Sequence, residues 1–250
     1  MNDEVPVAYS TVDGVAHIVL QRPEKSNAFD LQMAESLLLA VRESESESVQ
    51  SVMILGAGPR FCAGGDVSAF AGHASPSTYL FELASLLGEV TQRLCALPKP
   101  VIVGVHGVVA GGGLGLMLSA DVVLAAADTR FTAGYPGIGL SPDCGVSYLL
   151  PKAVGDRRAL DFFLTGRVLS SEEALAWGMV NYVVPDAELR VETLQLADRL
   201  ARGPGRALAA AKRLVRSDAS SAALAVDEAH TISALMREPD AIALTKRFLK

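Results

Sequence analysis

The chain carries little that would support a covalent or metallic framework. Its 250 residues include three cysteines, Cys62, Cys95 and Cys144, an odd and widely spaced set without a C-x-x-C pair. That pattern disfavours a disulfide scaffold or a structural zinc site and favours buried free thiols. Long hydrophobic runs are also missing. No stretch approaches the roughly eighteen uncharged apolar residues of a membrane span, and residues 1–4 are acidic where a signal peptide is basic and apolar. A soluble cytoplasmic protein is the expectation. Positive charge is short as well, with 22 Lys and Arg against 28 Asp and Glu and a net charge of -6, which argues against a general nucleic-acid surface. An anionic ligand would need a local basic pocket, for which Lys25, Lys212, Arg213, Lys246 and Arg247 are candidates.

Several catalytic fingerprints fail on inspection. No Gly-Lys pair occurs, so there is no Walker loop; no H-E-x-x-H is present; and AGGGLGL lacks the last glycine of G-x-G-x-x-G. Gly139-Leu140-Ser141-Pro142-Asp143 starts like a nucleophile elbow and then has Asp where the closing glycine belongs. The histidines His17, His73, His106 and His230 show no ligand spacing, and no metal site is expected. His106 follows a buried-looking strand and reads as a hydrogen-bonded scaffold residue.

What the chain does have is two glycine-rich loops, each following a strand-like run: Phe61-Cys62-Ala63-Gly64-Gly65-Asp66 and Ala110-Gly111-Gly112-Gly113-Leu114-Gly115. Glycine lets backbone approach a ligand closely, and paired backbone N–H groups aimed at one oxygen stabilise a developing oxyanion. Around these loops the pattern alternates. Residues 7–20 read as a hairpin about Asp13-Gly14, 28–43 as a helix, 52–55 as a strand, 79–97 as a helix ending at Pro98, 101–105 as a buried strand, 112–119 as a helix and 122–126 as a strand. Residues 68–78, rich in Ala, Ser, Gly and Pro, have the composition of a mobile lid. Helices are expected at 157–164, at 171–177 behind Ser170-Ser171-Glu172-Glu173, and at 191–202, with a short strand at 180–184 between the last two. The Ala-rich helical stretch after Gly203 carries Leu208, Ala211, Leu214 and Val215 on one face, and 222–236 is again apolar. So much apolar surface in a terminal segment suggests packing on a partner subunit.

The wording Arg22-Pro23-Glu24-Lys25-Ser26-Asn27-Ala28, then FCAGGD, then Lys99-Pro100-Val101-Ile102-Val103-Gly104-Val105-His106-Gly107 running into AGGGLGL resembles the crotonase superfamily, also called the enoyl-CoA hydratase/isomerase family. The resemblance extends over nearly the whole chain. It implies an α/β fold, a spiral of ββα units over residues 1–195, followed by a helical region over 196–250 that builds trimers, often paired into hexamers. It also implies an acyl-CoA thioester substrate, coenzyme A as part of that substrate, no tightly bound cofactor, and no nucleic-acid or membrane partner. The oxyanion hole falls on the N–H groups of Gly65 and Gly112, and the coenzyme A pocket on Lys25, Ala28, Ala63, Asp66 and Val67.

An oxyanion hole moves no protons, so an acid or base must stand nearby. Between residues 129 and 155 the only carboxylate is Asp143. It can act as catalyst or as cap of the helix that follows, and its apolar surroundings favour the first. By resemblance, hydratases of the family use two glutamates where this chain has Gly115 and Tyr135. Asp143 falls where ring-1,2-epoxyphenylacetyl-CoA isomerases and some dienoyl-CoA isomerases place a catalytic Asp. It is also where 4-chlorobenzoyl-CoA dehalogenases place a nucleophilic one, but the helical His those enzymes use is absent from 79–97. Proton transfer by Asp143, with Tyr135 lining the acyl pocket, is therefore the expected chemistry. A hydratase or thioester hydrolase with an unusual acid/base, and an inactive acyl-CoA-binding homologue, are the rival readings.

Overall fold

The computed structural model describes residues 5–217, 221–241 and 244. The hairpin expected at the start is present: β1 (Val7–Val12) and β2 (Val15–Leu20) pair antiparallel. They are joined by Asp13 at φ 48° and Gly14 at φ 80°, the consecutive left-handed residues that a two-residue hairpin turn requires. The chain continues through α1 (Leu31–Glu43), β3 (Ser51–Gly56), α2 (Val67–Ala71), α3 (Pro76–Ala96), β4 (Val101–Val105), β5 (Val108–Ala110) and α4 (Gly112–Ser119). Then come β6 (Val122–Ala126), β7 (Arg130–Thr132), α5 (Val146–Val154), α6 (Asp156–Thr165), β8 (Val168–Ser170) and α7 (Ser171–Trp177). The last described elements are β9 (Tyr182–Val184), α8 (Leu189–Ala201), α9 (Gly205–Val215) and α10 (Ser221–Leu235).

Two sheets result, a large one in the order β1-β2-β3-β4-β6-β9 and a small one in the order β5-β7-β8. Beyond the hairpin every neighbouring pair in the large sheet is parallel. Such a sheet needs cover on both faces, and β4 is buried throughout. α1, α3 and α4 contribute to the larger core, while α8 packs on the opposite face against Met53, Leu55, Ile102 and Leu124. Each turn of the chain adds one strand to the large sheet and then crosses to the small one, as in β4, β5 and α4. In the earlier turns the small-sheet strand shrinks to single bridges, Phe29 with Gly65 and Cys62 with Val109. The first glycine loop therefore occupies a strand position beside β5. The fold is the expected α/β spiral of ββα units with a helical C-terminal region.

Several boundaries differ from the sequence reading, each for a local reason. α1 starts at Leu31 and not at 28, because Phe29 bridges Gly65 and the Asp30 carboxylate caps the helix, accepting from the Met33 N–H at 2.9 Å. The segment 68–78, expected as a lid, contains most of α2 and the first residues of α3. Asp66 caps α2, accepting from Ser68 N–H at 3.1 Å and Ala69 N–H at 3.3 Å, and Pro76 occupies the first turn of α3, where its missing N–H is not needed. The strands β5, β7 and β8 went unread because three residues carry no period. α5 went unread because Pro151 lies inside it. Among the described residues no helix is long and apolar enough to cross a membrane.

The C-terminal helices are held differently from the rest. No residue of α9 is buried; cations fasten it to the core. Lys212 pairs with Asp121 at 2.8 Å and donates to the carbonyls of Leu94 at 2.9 Å and Lys99 at 3.1 Å. Arg216 pairs with Asp121 at 2.9 Å and donates to the carbonyls of Ser119 and Ala120. Leu94, Ser119 and Ala120 sit at the carboxyl ends of α3 and α4, where positive charge is favourable. Burial pulls the Lys212 ammonium below the usual lysine range, against the opposing pull of Asp121. Asp121→Asn would leave that ammonium buried without its counter-charge, and is expected to lower the unfolding free energy by about 3 kcal/mol. Urea denaturation checks this; an unchanged midpoint would contradict the clasp.

Candidate active site

The two glycine loops meet. Along the first, Cys62 and β5 exchange backbone hydrogen bonds, Cys62 N–H to Val108 O at 3.3 Å and Ala110 N–H to Cys62 O at 3.0 Å. Gly64 then turns at φ 93°, and a Cβ there would stand 3.0 Å from the Ala110 oxygen and 3.3 Å from Gly111 Cα. On its other side the loop bonds to Phe29, which donates to Gly64 O at 2.7 Å and accepts from Asp66 N–H at 2.8 Å. In that parallel ladder the Gly65 N–H falls between the bonded peptides and has no partner among the described residues. Gly112 opens α4 behind Gly111 at φ 51°. As the first helical residue its N–H has no intrahelical acceptor, and it lies at the positive end of the helix dipole. The two loops thus meet at Gly64 and Gly111, with Gly65 and Gly112 each one residue beyond the contact.

Asp143 is held beside this turn from two directions. The Tyr135 hydroxyl donates to Asp143 Oδ1 at 2.7 Å, and the Tyr135 ring lies against Gly111, with Cζ 3.9 Å from where a Cβ on that glycine would sit. Burial, and then the Asp143 charge, push the phenol far above its usual range, so it remains a donor. Asp143 does not cap α5: that helix begins behind Gly145, and no side chain caps it. The next residue, Cys144, adopts φ 49° and packs its backbone on α4. A Cβ on Gly115 would overlap the Cys144 carbonyl oxygen and lie 2.8 Å from Cys144 Cβ. The two positions that resemblance assigns to hydratase glutamates are thus a backbone contact, at Gly115, and a neutral hydroxyl, at Tyr135. The thiols nearby are buried. Burial pushes Cys62 up to about 12, and burial followed by the Asp143 charge raises Cys144.

The residues expected around coenzyme A lie on the segment 25–28, on the first glycine loop and at the start of α2. Ala28 N–H donates to Lys25 O at 3.0 Å and Ala63 N–H to Ser26 O at 3.0 Å, which ties residues 25–28 to the first loop. Lys25 is exposed and makes no ion pair among the described residues. Val67, 47% exposed, starts α2. The Asp66 carboxylate is engaged internally: burial raises it, but bonds from Ser68, Ala69 N–H and Arg22 outweigh burial and hold it below the usual range.

Of the other basic candidates, Lys212 is committed to Asp121 and Arg213 to Asp227, while Lys246 and Arg247 lie outside the described residues. His106 bonds to Gly58 O at 2.8 Å, a scaffold contact as expected. His73 is exposed between α2 and α3 and accepts from Ser75 N–H.

Two residues that hold the loops were not singled out beforehand. Arg22 bridges Asp30 at 2.9 Å and Asp66 at 3.3 Å and donates to Ala28 O at 2.7 Å. Asn27, buried at φ 52°, accepts from Arg22 N–H and donates to Ala57 O and Arg60 O, each at 2.8 Å. The signal was present, since Asn is among the side chains that tolerate a left-handed turn and bond locally.

Fold and site together are those of an acyl-CoA-processing enzyme. Residues 10–236 match the family model described as enoyl-CoA hydratase/isomerase, and the chain belongs to that family, the crotonase superfamily. It is similar to the 1,2-epoxyphenylacetyl-CoA isomerase of Escherichia coli (strain K12), 37% identical over 207 residues, covering 82% of this chain and 79% of that one. It is also similar to a trans-2-decenoyl-acyl-carrier-protein isomerase of Streptococcus mutans, 33% identical over 212 residues, covering 84% and 81%. Among solved structures, an enoyl-CoA hydratase of Mycobacterium smegmatis superposes with a TM-score of 0.91 at 28% identity, over 98% of this chain and 96% of that one.

The glycines of the site differ in what they tolerate. Gly115→Ala would drive a methyl into the Cys144 backbone and is expected to destabilise the fold by about 1–3 kcal/mol. Gly65→Ala, whose new Cβ would meet nothing nearer than Phe70 Cε1 at 3.8 Å, is expected to change stability by less than about 0.5 kcal/mol. Denaturant melts of the two variants check this ordering, and the reverse ordering would contradict it.

Proposed function

We propose that this enzyme isomerises an unsaturated acyl-CoA by proton transfer through the single carboxylate of Asp143. On this reading the N–H groups of Gly65 and Gly112 bind the thioester oxygen. Asp143 removes an acidified carbon-bound proton, the C–H electron pair moves into the enolate, and the same carboxylate returns the proton at another carbon. No water is added and no second acid is required. The negative charge rests on the enolate oxygen between the two transfers, where preorganised donors are most effective.

The observation that carries the reading is the 2.7 Å bond from Tyr135 to Asp143 beside the second glycine loop, taken with the closed approach of Cys144 to Gly115. A carboxylate is in reach, and neither of the two positions where hydratases keep theirs has one. The isomerase names of the Escherichia coli and Streptococcus mutans relatives point the same way. Coenzyme A would lie along Lys25, Ala28, Ala63, Asp66 and Val67, mainly on backbone. A homotrimer or dimer of trimers is proposed for the assembly. Val215, Val226 and Ile232 on α9 and α10 are 85%, 58% and 70% exposed, an apolar surface that a partner copy would cover.

Incubation with an unsaturated acyl-CoA in deuterated water tests the proposal. The expected result is a shifted double bond, or deuterium at the α or γ carbon, without hydration. Asp143→Asn keeps the shape and loses the base, so it should still bind coenzyme A thioesters while slowing exchange by about a hundredfold or more. Efficient formation of a 3-hydroxyacyl-CoA by the native enzyme would replace the isomerase reading with a hydratase.

A further inference from the structure

Resting on that reading, we infer that Tyr135 is a positioning residue for the proton transfer, fixing the rotamer of Asp143 and reserving one of its two oxygens for the substrate. The argument begins with lone pairs. A carboxylate on a loop can swing about its terminal torsion, a broad and soft one, and present either oxygen to a substrate or to water. Here one oxygen is taken: Oδ1 accepts the phenol hydrogen at 2.7 Å. The proton from substrate carbon then goes to Oδ2 and returns from Oδ2, so removal and delivery use one atom on one face of the acyl chain.

The phenol can do this because it is itself held. Tyr135 is 7% exposed, its ring lies on the Gly111 turn, and its own carbonyl accepts from Ile138 N–H at 3.1 Å and Leu140 N–H at 3.0 Å. The turn that orients the Gly112 N–H and the side chain that orients Asp143 therefore touch, and the spacing between donor and base is set by packing rather than by the substrate. The backbone of Asp143 is fixed separately, through Cys144 on Gly115.

Without the hydroxyl the carboxylate is free to turn away, and small misplacements of a reacting group are expensive.

Tyr135→Phe, which keeps the ring, is expected to lower kcat for the isomerisation by about tenfold or more with KM unchanged. The double variant Tyr135→Phe/Asp143→Asn should be no slower than Asp143→Asn alone, because the phenol acts only through the carboxylate. A kcat that is unchanged or raised, or losses that multiply in the double variant, would overturn the inference. Full activity in Asp143→Asn would instead overturn the reading beneath it. Should Tyr135→Phe not fold, Asp143→Glu serves in its place: it carries the carboxylate one methylene past the phenol and should lose kcat comparably, whereas native turnover would overturn the inference.

Discussion

The backbone contact of Gly64 with Ala110 and Gly111 is the constraint on which the rest depends. It joins the loop after β3 to the loop after β5 with no side chain between them. From it follow the free N–H of Gly65 on one side and the free N–H of Gly112 on the other. The flanking elements explain why the contact is stable. Cys62 is bonded to β5 on both its N–H and its carbonyl, Gly64 and Asp66 are bonded to Phe29, and Asn27 and Arg22 fill the space behind with polar contacts. A loop pinned along both edges cannot relax its unpaired donor toward another acceptor.

The electrostatics of the site follow from the same geometry. All eight residues of α4 are buried, so the dipole of this helix acts through protein rather than water and is less screened. The positive end faces the turn where the thioester oxygen is proposed to sit, and the Asp143 carboxylate beside that turn is tied to a phenol that stays protonated. Cys62 and Cys144, which pack against the same turn, are pushed up by burial. On the proposed reading, charge develops on oxygen under the glycines and protons move at Asp143.

The sequence revealed the parts whose physics is local. The hairpin at Asp13-Gly14, the buried run of β4, the helix of α4 and the two glycine loops each carry their cause in consecutive residues, and the family wording supplied the order of assembly. What stayed hidden was set by tertiary contact. The strands β5, β7 and β8 exist only because a neighbour pairs with them, and α5 forms across a proline that reads as a stop. Lys212 looks like a candidate for an anionic ligand until Asp121 and two carbonyls are found around its ammonium. Asp143 was legible because it is the one acid in its stretch of chain. That Tyr135 holds it required knowing that a loop folds back over eight residues, and that Gly115 excludes any side chain required seeing Cys144 seated on it.

The central claim is that two backbone donors polarise a thioester oxygen, and vibrational spectroscopy reads that polarisation directly. The infrared carbonyl stretch of an isotope-labelled acyl-CoA, bound to the inactive Asp143→Asn variant, should move to lower frequency than in water. In a variant carrying Gly112→Val as well, whose side chain would press on Cys144 Sγ and the Phe29 ring at 3.3 and 3.4 Å from its Cβ, the shift should shrink. A bound thioester whose carbonyl frequency matches that of the free ligand would contradict the account.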